Sequence, residues 1–129
     1  MRIDHVAIWT ADLERLRGFY EQYFGALAGP KYENPRRQFT SYSLGFPGGC
    51  RIELMHVPGL LVRREPSQAP AIGYAHISIS VGSEREVDSL TTRLQSDGFS
   101  VLGGPRRTGD DYYESVVLDP DGNRIEITA

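Results

Sequence analysis

Two histidines and two glutamates stand at matching places in the two halves of this chain. His5 lies in Asp4-His5-Val6-Ala7-Ile8 and His76 in Ala75-His76-Ile77-Ser78-Ile79. Glu53 lies in Pro47-Gly48-Gly49-Cys50-Arg51-Ile52-Glu53-Leu54 and Glu126 in Pro120-Asp121-Gly122-Asn123-Arg124-Ile125-Glu126-Ile127. The two pairs of segments have nearly equal offsets and the same order, and an amphipathic stretch follows each His, so the pattern is a duplication. A lone strand His is more often a packing or surface residue than a ligand, and a lone strand Glu more often still. Core packing, however, gives no reason to repeat the same titratable types at equivalent places. If a two-fold relation packs the halves into a cup, His5, Glu53, His76 and Glu126 converge. Two neutral imidazoles and two carboxylates form a mixed N/O ligand set for Zn, Ni, Co, Mn or Fe(II), and a divalent cation removes the cost of holding two carboxylates together.

The elements that must position these groups follow from periodicity. Leu13, Leu16, Phe19, Tyr20, Tyr23 and Phe24 form one face of a helix ended by Gly25. Val87, Leu90 and Leu94 form another, entered through the capping box Ser83-Glu84-Arg85-Glu86 and ended by Gly98. Strand runs over 38–46 and 51–57, and again over 112–118 and 124–128, are each joined by a Pro/Gly turn and predict two hairpins. One further short strand is expected in each half, near 27–31 and 100–102. Each half is therefore strand-helix-strand-strand-strand: module one over 1–57, a linker over 58–71 and module two over 72–129. Alternation along a strand places His5, Ala7 and Trp9 on one side and Val6 and Ile8 on the other, with His76 and Ser78 against Ile77 and Ile79. The β-branched side packs under the helix and leaves the His side facing away. Glu53 and Glu126 likewise oppose Ile52 with Leu54 and Ile125 with Ile127. His56 has no counterpart in the second half and sits beside the strand end, and Cys50 is a turn residue. Leu60-Leu61-Val62 in the Pro- and Arg-rich linker admits either a lid or a plain connector.

Composition removes several classes. The chain has 129 residues, 14 Lys+Arg against 17 Asp+Glu, and a formal net charge of −3, which gives no basic surface for nucleic acid. No run approaches the roughly 18–20 apolar residues of a membrane-spanning helix, and Met1-Arg2-Ile3-Asp4-His5 lacks the apolar core of a signal peptide. No membrane association and a cytoplasmic location are expected. The single Cys50 forms no internal disulfide and excludes cysteine-rich zinc modules.

Two such units, with His in the first strand and Glu in the last, resemble the vicinal oxygen chelate superfamily, specifically its glyoxalase I-like members (the glyoxalase/bleomycin resistance/dioxygenase proteins). The resemblance runs from Arg2-Ile3-Asp4-His5-Val6 through Phe19-Tyr20 and Phe24-Gly25 to Asp119-Pro120-Asp121-Gly122-Asn123-Arg124-Ile125-Glu126. It implies a single α+β domain of two tandem βαβββ modules forming a cupped mixed sheet with helices outside. It also implies one divalent metal, with Zn, Ni or Co ahead of Mn or Fe, held by His5, Glu53, His76 and Glu126. Relatives resembling extradiol dioxygenases or fosfomycin-modifying transferases generally use two His and one Glu, so Glu53 favours the glyoxalase and epimerase branch.

The activity implied by the resemblance is that of a metal-dependent lyase or isomerase of glyoxalase I type. It moves a proton next to a metal-polarised carbonyl through an enediolate, with Glu126 as the base and Glu53 as its partner. Glutathione-using members of the bacterial type tend to carry Arg late in the first strand and Asn soon after the Glu of the fourth, where this sequence has Trp9 and Val57. The resemblance therefore does not extend to glutathione recognition, and Trp9 suits a more apolar or ring-bearing small-molecule substrate. Arg36 and Arg37 in a loop offer bidentate contacts to a carboxylate or phosphate, as do Arg63-Arg64 and Arg106-Arg107; solvated loop charge is the plain alternative. Tyr113, at the start of a hairpin strand, is a further expected substrate contact. Two other functions stay open: an Fe(II) extradiol-type dioxygenase using His5, His76 and Glu126 as a facial triad, and a non-catalytic, drug-sequestering binder. Relatives commonly pair, so a homodimer is expected.

Overall fold

The first helix forms where the sequence closes both of its ends. In α1 (Leu13–Phe24) the Asp12 side chain accepts from the Arg15 amide, and Gly25 ends the helix in the left-handed region at φ 63°, with its N–H donating to the Tyr20 carbonyl. Leu13, Leu16, Phe19 and Tyr20 form its buried face. In α2 (Glu84–Ser96) Ser83 accepts from the Glu86 amide, and Val87, Thr91 and Leu94 are buried. The structure, a computed structural model, describes residues 2–61 and 72–129. The chain divides into two compact units, residues 1–63 and 64–129.

In the first unit the strands are β1 (His5–Trp9), β2 (Leu27–Ala28), β3 (Tyr32–Asn34), β4 (Phe39–Gly45) and β5 (Arg51–His56). Their order is β1-β5-β4-β2, with β3 also paired to β4. β1 runs parallel to β5, and the other pairs are antiparallel. In the second unit β6 (Ile77–Ser80), β7 (Val101–Arg107), β8 (Tyr113–Leu118) and β9 (Arg124–Thr128) take the order β6-β9-β8-β7, with β6 parallel to β9. Both sheets are mixed, each carries one helix, and the α+β class with two similar modules is observed. Each helix covers the aliphatic side of its own sheet. α1 packs on β4, β5 and β2, over Leu44, Ile52 and Leu54, while α2 packs on β7, β8 and β9, over Val117, Ile125 and Ile127.

Two strands differ from the sequence expectation. In place of one strand at 27–31 there are two short ones, β2 and β3, parted by Gly29, Pro30 and Lys31, because Pro has no N–H to continue a ladder. The strand expected at 100–102 continues to Arg107 as the edge strand β7, with register shifts around Gly103 that take up Gly104 and Pro105. Most of the linker, with Arg63 and Arg64, lies in 62–71, outside the described residues. Among the described residues no helix is long and apolar enough to cross a membrane.

Polar groups tie each helix to its sheet. Thr91 lies 2.6 Å from Ser115 on β8 and also bonds the Val87 carbonyl, so this buried hydroxyl pair is satisfied. In the first unit the Tyr42 hydroxyl donates to Glu14 at 2.9 Å, and Lys31 donates to the same oxygen at 3.3 Å. The Tyr42 bond, with help from Lys31 and Arg17, holds the Glu14 carboxyl below its ordinary range, while the bond to Glu14 and burial push the Tyr42 phenol up. The Glu14 contribution is present above its ordinary value of 4.5 and is lost as pH falls through the lowered folded value. The Tyr42 contribution is present below 10.0 and is lost as pH rises through the raised folded value. Tyr42→Phe is therefore expected to lower the thermal midpoint most between these limits, with the gap to wild type closing at both extremes. Thermal melts of the two proteins across pH check this, and a gap that does not vary with pH would contradict it.

Candidate functional site

In each unit the candidate residues lie on the side of the sheet that its own helix leaves free. His5, Ala7 and Trp9 are exposed along β1 while Val6 and Ile8 are partly covered, and Ser78 and Ser80 alternate with Ile77 and Ile79 in the same way. His76 directly precedes β6 and is also exposed. In β5 the buried Ile52 and Leu54 flank Glu53, and in β9 Ile125 and Ile127 flank Glu126.

The parallel register decides which groups meet. His5 is opposite Arg51 and Ala7 opposite Glu53, so the His5 ring reaches one diagonal step to Glu53. His5 Nε2 lies 3.8 Å from Glu53 Oε2. In the second unit Ser78 is opposite Glu126, which puts His76 in the same relation, and His76 Nε2 lies 3.4 Å from Glu126 Oε2. Two donors about 2.1 Å from one ion stand about 3.4 Å apart at the tetrahedral angle, a spacing that the second unit's pair meets and the first unit's pair exceeds. Each unit thus holds one imidazole and one carboxylate as a donor pair. Among the described residues no three His, Cys, Asp or Glu groups are gathered closely enough to hold an ion by themselves.

The groups behind the donors differ between units. His5 Nδ1 is 3.0 Å from Asp4 Oδ2, and Asp4 is also paired with Arg51. The bond from His5, followed by the Arg51 guanidinium, holds the Asp4 carboxyl below its ordinary range. An ionised Asp4 can only accept, so Nδ1 donates, which turns Nε2 toward Glu53 as the nitrogen that would face a metal. Ala75 occupies the equivalent place beside His76. There the support falls on the carboxylate instead. Glu114 on β8 shares a face with Glu126, is 7% exposed, and accepts from Arg106 Nη2 at 2.9 Å. Burial, then the charge of Glu126 and a hydrogen bond with it, push the Glu114 carboxyl up against the pull of Arg106.

The expected substrate contacts separate into three cases. Trp9 lies on the His5 face, 51% exposed, and its ring meets Phe39 edge-on at 6.2 Å, which in turn meets Tyr32 at 6.1 Å. Arg36 and Arg37 are exposed on the β3–β4 turn just before Phe39. Tyr113 lies on the opposite side of its sheet from Glu126. It has the same strand parity as Ser115 and Val117, and its hydroxyl donates at 2.8 Å to Asp88 on α2, so it faces the helix and not Glu126. His56 Nδ1 lies 2.9 Å from the Thr10 carbonyl and ties the end of β5 to the chain after β1. Cys50 is a free, exposed turn thiol.

Glu114 is the residue that the sequence reading did not single out. Its signal was available in the hairpin: a turn closing Leu118 on Arg124 sets Val116 against Glu126 and Glu114 against Thr128, so even-numbered β8 residues share the Glu126 face. That turn is itself specified. Asp119 accepts from the Asp121 amide, the Asn123 amide and the Asn123 side chain, each at 2.9 Å, and Gly122 takes φ 82°.

The sequence profile of the Glyoxalase/Bleomycin resistance protein/Dioxygenase superfamily matches residues 2–127, and the chain belongs to this superfamily. A lactoylglutathione lyase from Salmonella typhimurium is 30% identical over 135 residues, spanning 98% of this chain and 91% of that protein. A glyoxylase/bleomycin resistance protein/dioxygenase domain from Frankia sp. EAN1pec superposes with a TM-score of 0.81 at 20% identity, over 99% of this chain and 96% of that one. Glyoxalase I from Zea mays gives a TM-score of 0.76 at 23% identity; 98% of this chain is covered, but only 44% of the maize chain. At these identities the two structures speak for the fold alone.

Proposed function

We propose that this protein is a divalent-metal-dependent lyase or isomerase of the glyoxalase I kind, with His5, Glu53, His76 and Glu126 as metal ligands. The observation that carries this is the donor pair repeated in both units, His5 with Glu53 at 3.8 Å and His76 with Glu126 at 3.4 Å, on the side of the sheet that no helix covers. Similarity to lactoylglutathione lyases supports the reaction class. An N/O set of this kind takes Ni, Co or Zn, with Mn and Fe(II) also accepted. When bound, the ion would polarise a substrate carbonyl and favour loss of the neighbouring C–H proton. Glu126 takes that proton and returns it to the adjacent carbon, with Glu53 as its partner.

The substrate class is a small α-hydroxycarbonyl or thiol adduct whose two neighbouring oxygens chelate. Trp9 meets its apolar portion, and Arg36 or Arg37 pairs with a carboxylate or phosphate if one is present. The protein acts as a cytoplasmic homodimer. Elemental analysis of untagged protein purified without chelator tests the centre. About one Ni, Co or Zn per chain is expected for a four-ligand site. Fe together with oxygen uptake on a catechol would move the protein to the dioxygenases, and no metal, with none taken up on titration, would leave a small-molecule binder.

A further inference from the structure

β8 carries a carboxylate that the proposed reaction does not use. Glu114 is opposite Thr128 and one diagonal step from Glu126, on the face away from Ser115, Val117 and α2, so it takes no part in helix packing. It is nonetheless almost out of solvent, at 7% exposure. An ionisable side chain in such a place is costly unless it has partners, and an aliphatic residue would fill a strand position more cheaply. Glu114 has a partner in Arg106, directly opposite on β7, which donates to Oε1 at 2.9 Å, and the ladder sets this anchored carboxyl group beside Glu126 on the same face. The fold does not impose this arrangement. In the first unit the corresponding β4 place, opposite Met55 and diagonal to Glu53, is held by Ser41.

We propose that Arg106 and Glu114 form a positioning pair for Glu126. Arg106 anchors Glu114, and Glu114 fixes the Glu126 carboxylate with Oε2 directed at His76 Nε2. This assignment rests on the metal function proposed above. Glu114 acts through Glu126 and is a positioning residue; groups that hold a ligating carboxylate typically contribute 10–100-fold to metal affinity. It also accounts for why the second unit keeps Glu126 oriented without an acidic neighbour to His76, while the first unit instead holds its imidazole through Asp4 and Arg51.

Cobalt(II) alone is the probe. Metal-free wild type, Glu114→Leu, Glu114→Gln and Arg106→Met are titrated in competition with a chelator of known affinity, following the visible cobalt absorption, with metal-free thermal melts alongside. Glu114→Leu is expected to weaken binding by about 10–100-fold and to alter the cobalt spectrum. Glu114→Gln, which can accept from Arg106 and donate to Glu126, is expected to restore both. Arg106→Met changes a side chain that is half exposed and is expected to weaken binding in the same direction; it decides the matter if Glu114→Leu does not fold. Unchanged affinity and spectrum in the folded variants, or equal weakening in Glu114→Gln and Glu114→Leu, overturns the positioning role while leaving the metal function intact. A wild type that takes up no cobalt overturns the metal function itself.

Discussion

Glu126→Gln is expected to lower turnover by about 10²–10⁴-fold, the range that a positioned general base supplies. The amide keeps the size of the side chain and one oxygen, but it cannot take a proton from carbon. The expected pattern is a fall in kcat with little change in substrate binding, because the lost interaction is made in the transition state and not in the ground state. Glu126 is also a proposed ligand, so metal content must be measured in the same preparation. A variant that retains about one ion per chain and still binds substrate isolates the proton-transfer role, whereas one that has lost its ion is to be reloaded before the rate is compared. Glu53→Gln provides the control: the smaller loss expected there places the base in the second unit, and a larger loss would exchange the two roles. Turnover of Glu126→Gln at the wild-type rate would overturn the assignment.

The faces of the strands were legible in the sequence because alternation is rigid. Once Ile52 with Leu54 and Ile125 with Ile127 are assigned to the helix side, Glu53 and Glu126 have only the other side to occupy, and burial follows that division. Both helices could be read from their apolar spacing and from the chemistry at one end of each, Gly25 in the first and Ser83 in the second; the Asp12 cap is added by the structure. Tyr113 and Glu114 were not resolved because their sides depend on hairpin register, which the type of residue alone does not fix. An aromatic near a proposed site looks like a substrate contact, and a glutamate in a β-rich run looks like surface. The register reverses both: Tyr113 bonds Asp88 on the helix, while Glu114 is buried beside Glu126. The division of the expected strand at 27–31 reflects Pro30, whose missing N–H is visible in the sequence but whose effect depends on which neighbour β4 offers. The repeated His and Glu were legible as a pattern, and the structure joins them two by two.

His76→Ala is expected to weaken metal binding by more than about 100-fold, since loss of a group behind a ligand already costs 10–100-fold and here the ligand itself is removed. His5→Ala should do the same, although the two residues are held differently. Asp4 accepts from His5 Nδ1 at 3.0 Å and so fixes the ring with Nε2 toward Glu53, whereas the Ala75 that precedes His76 offers no such acceptor. Asp4→Ala, which leaves all four proposed ligands in place, should therefore weaken binding by the smaller margin of about 10–100-fold. The measurement is a cobalt competition titration of the three metal-free variants against wild type, followed by a turnover assay at saturating metal. Four ligands acting on one ion predict that both His variants lose affinity and that neither reaches wild-type turnover once loaded. If His5→Ala binds as tightly as wild type and His76→Ala does not, His5 is not a ligand and the four-ligand centre is overturned, leaving His76 and Glu126 as the protein's donors to the ion. Wild-type affinity in both variants would remove the imidazoles from the centre and with them the metal-dependent reaction.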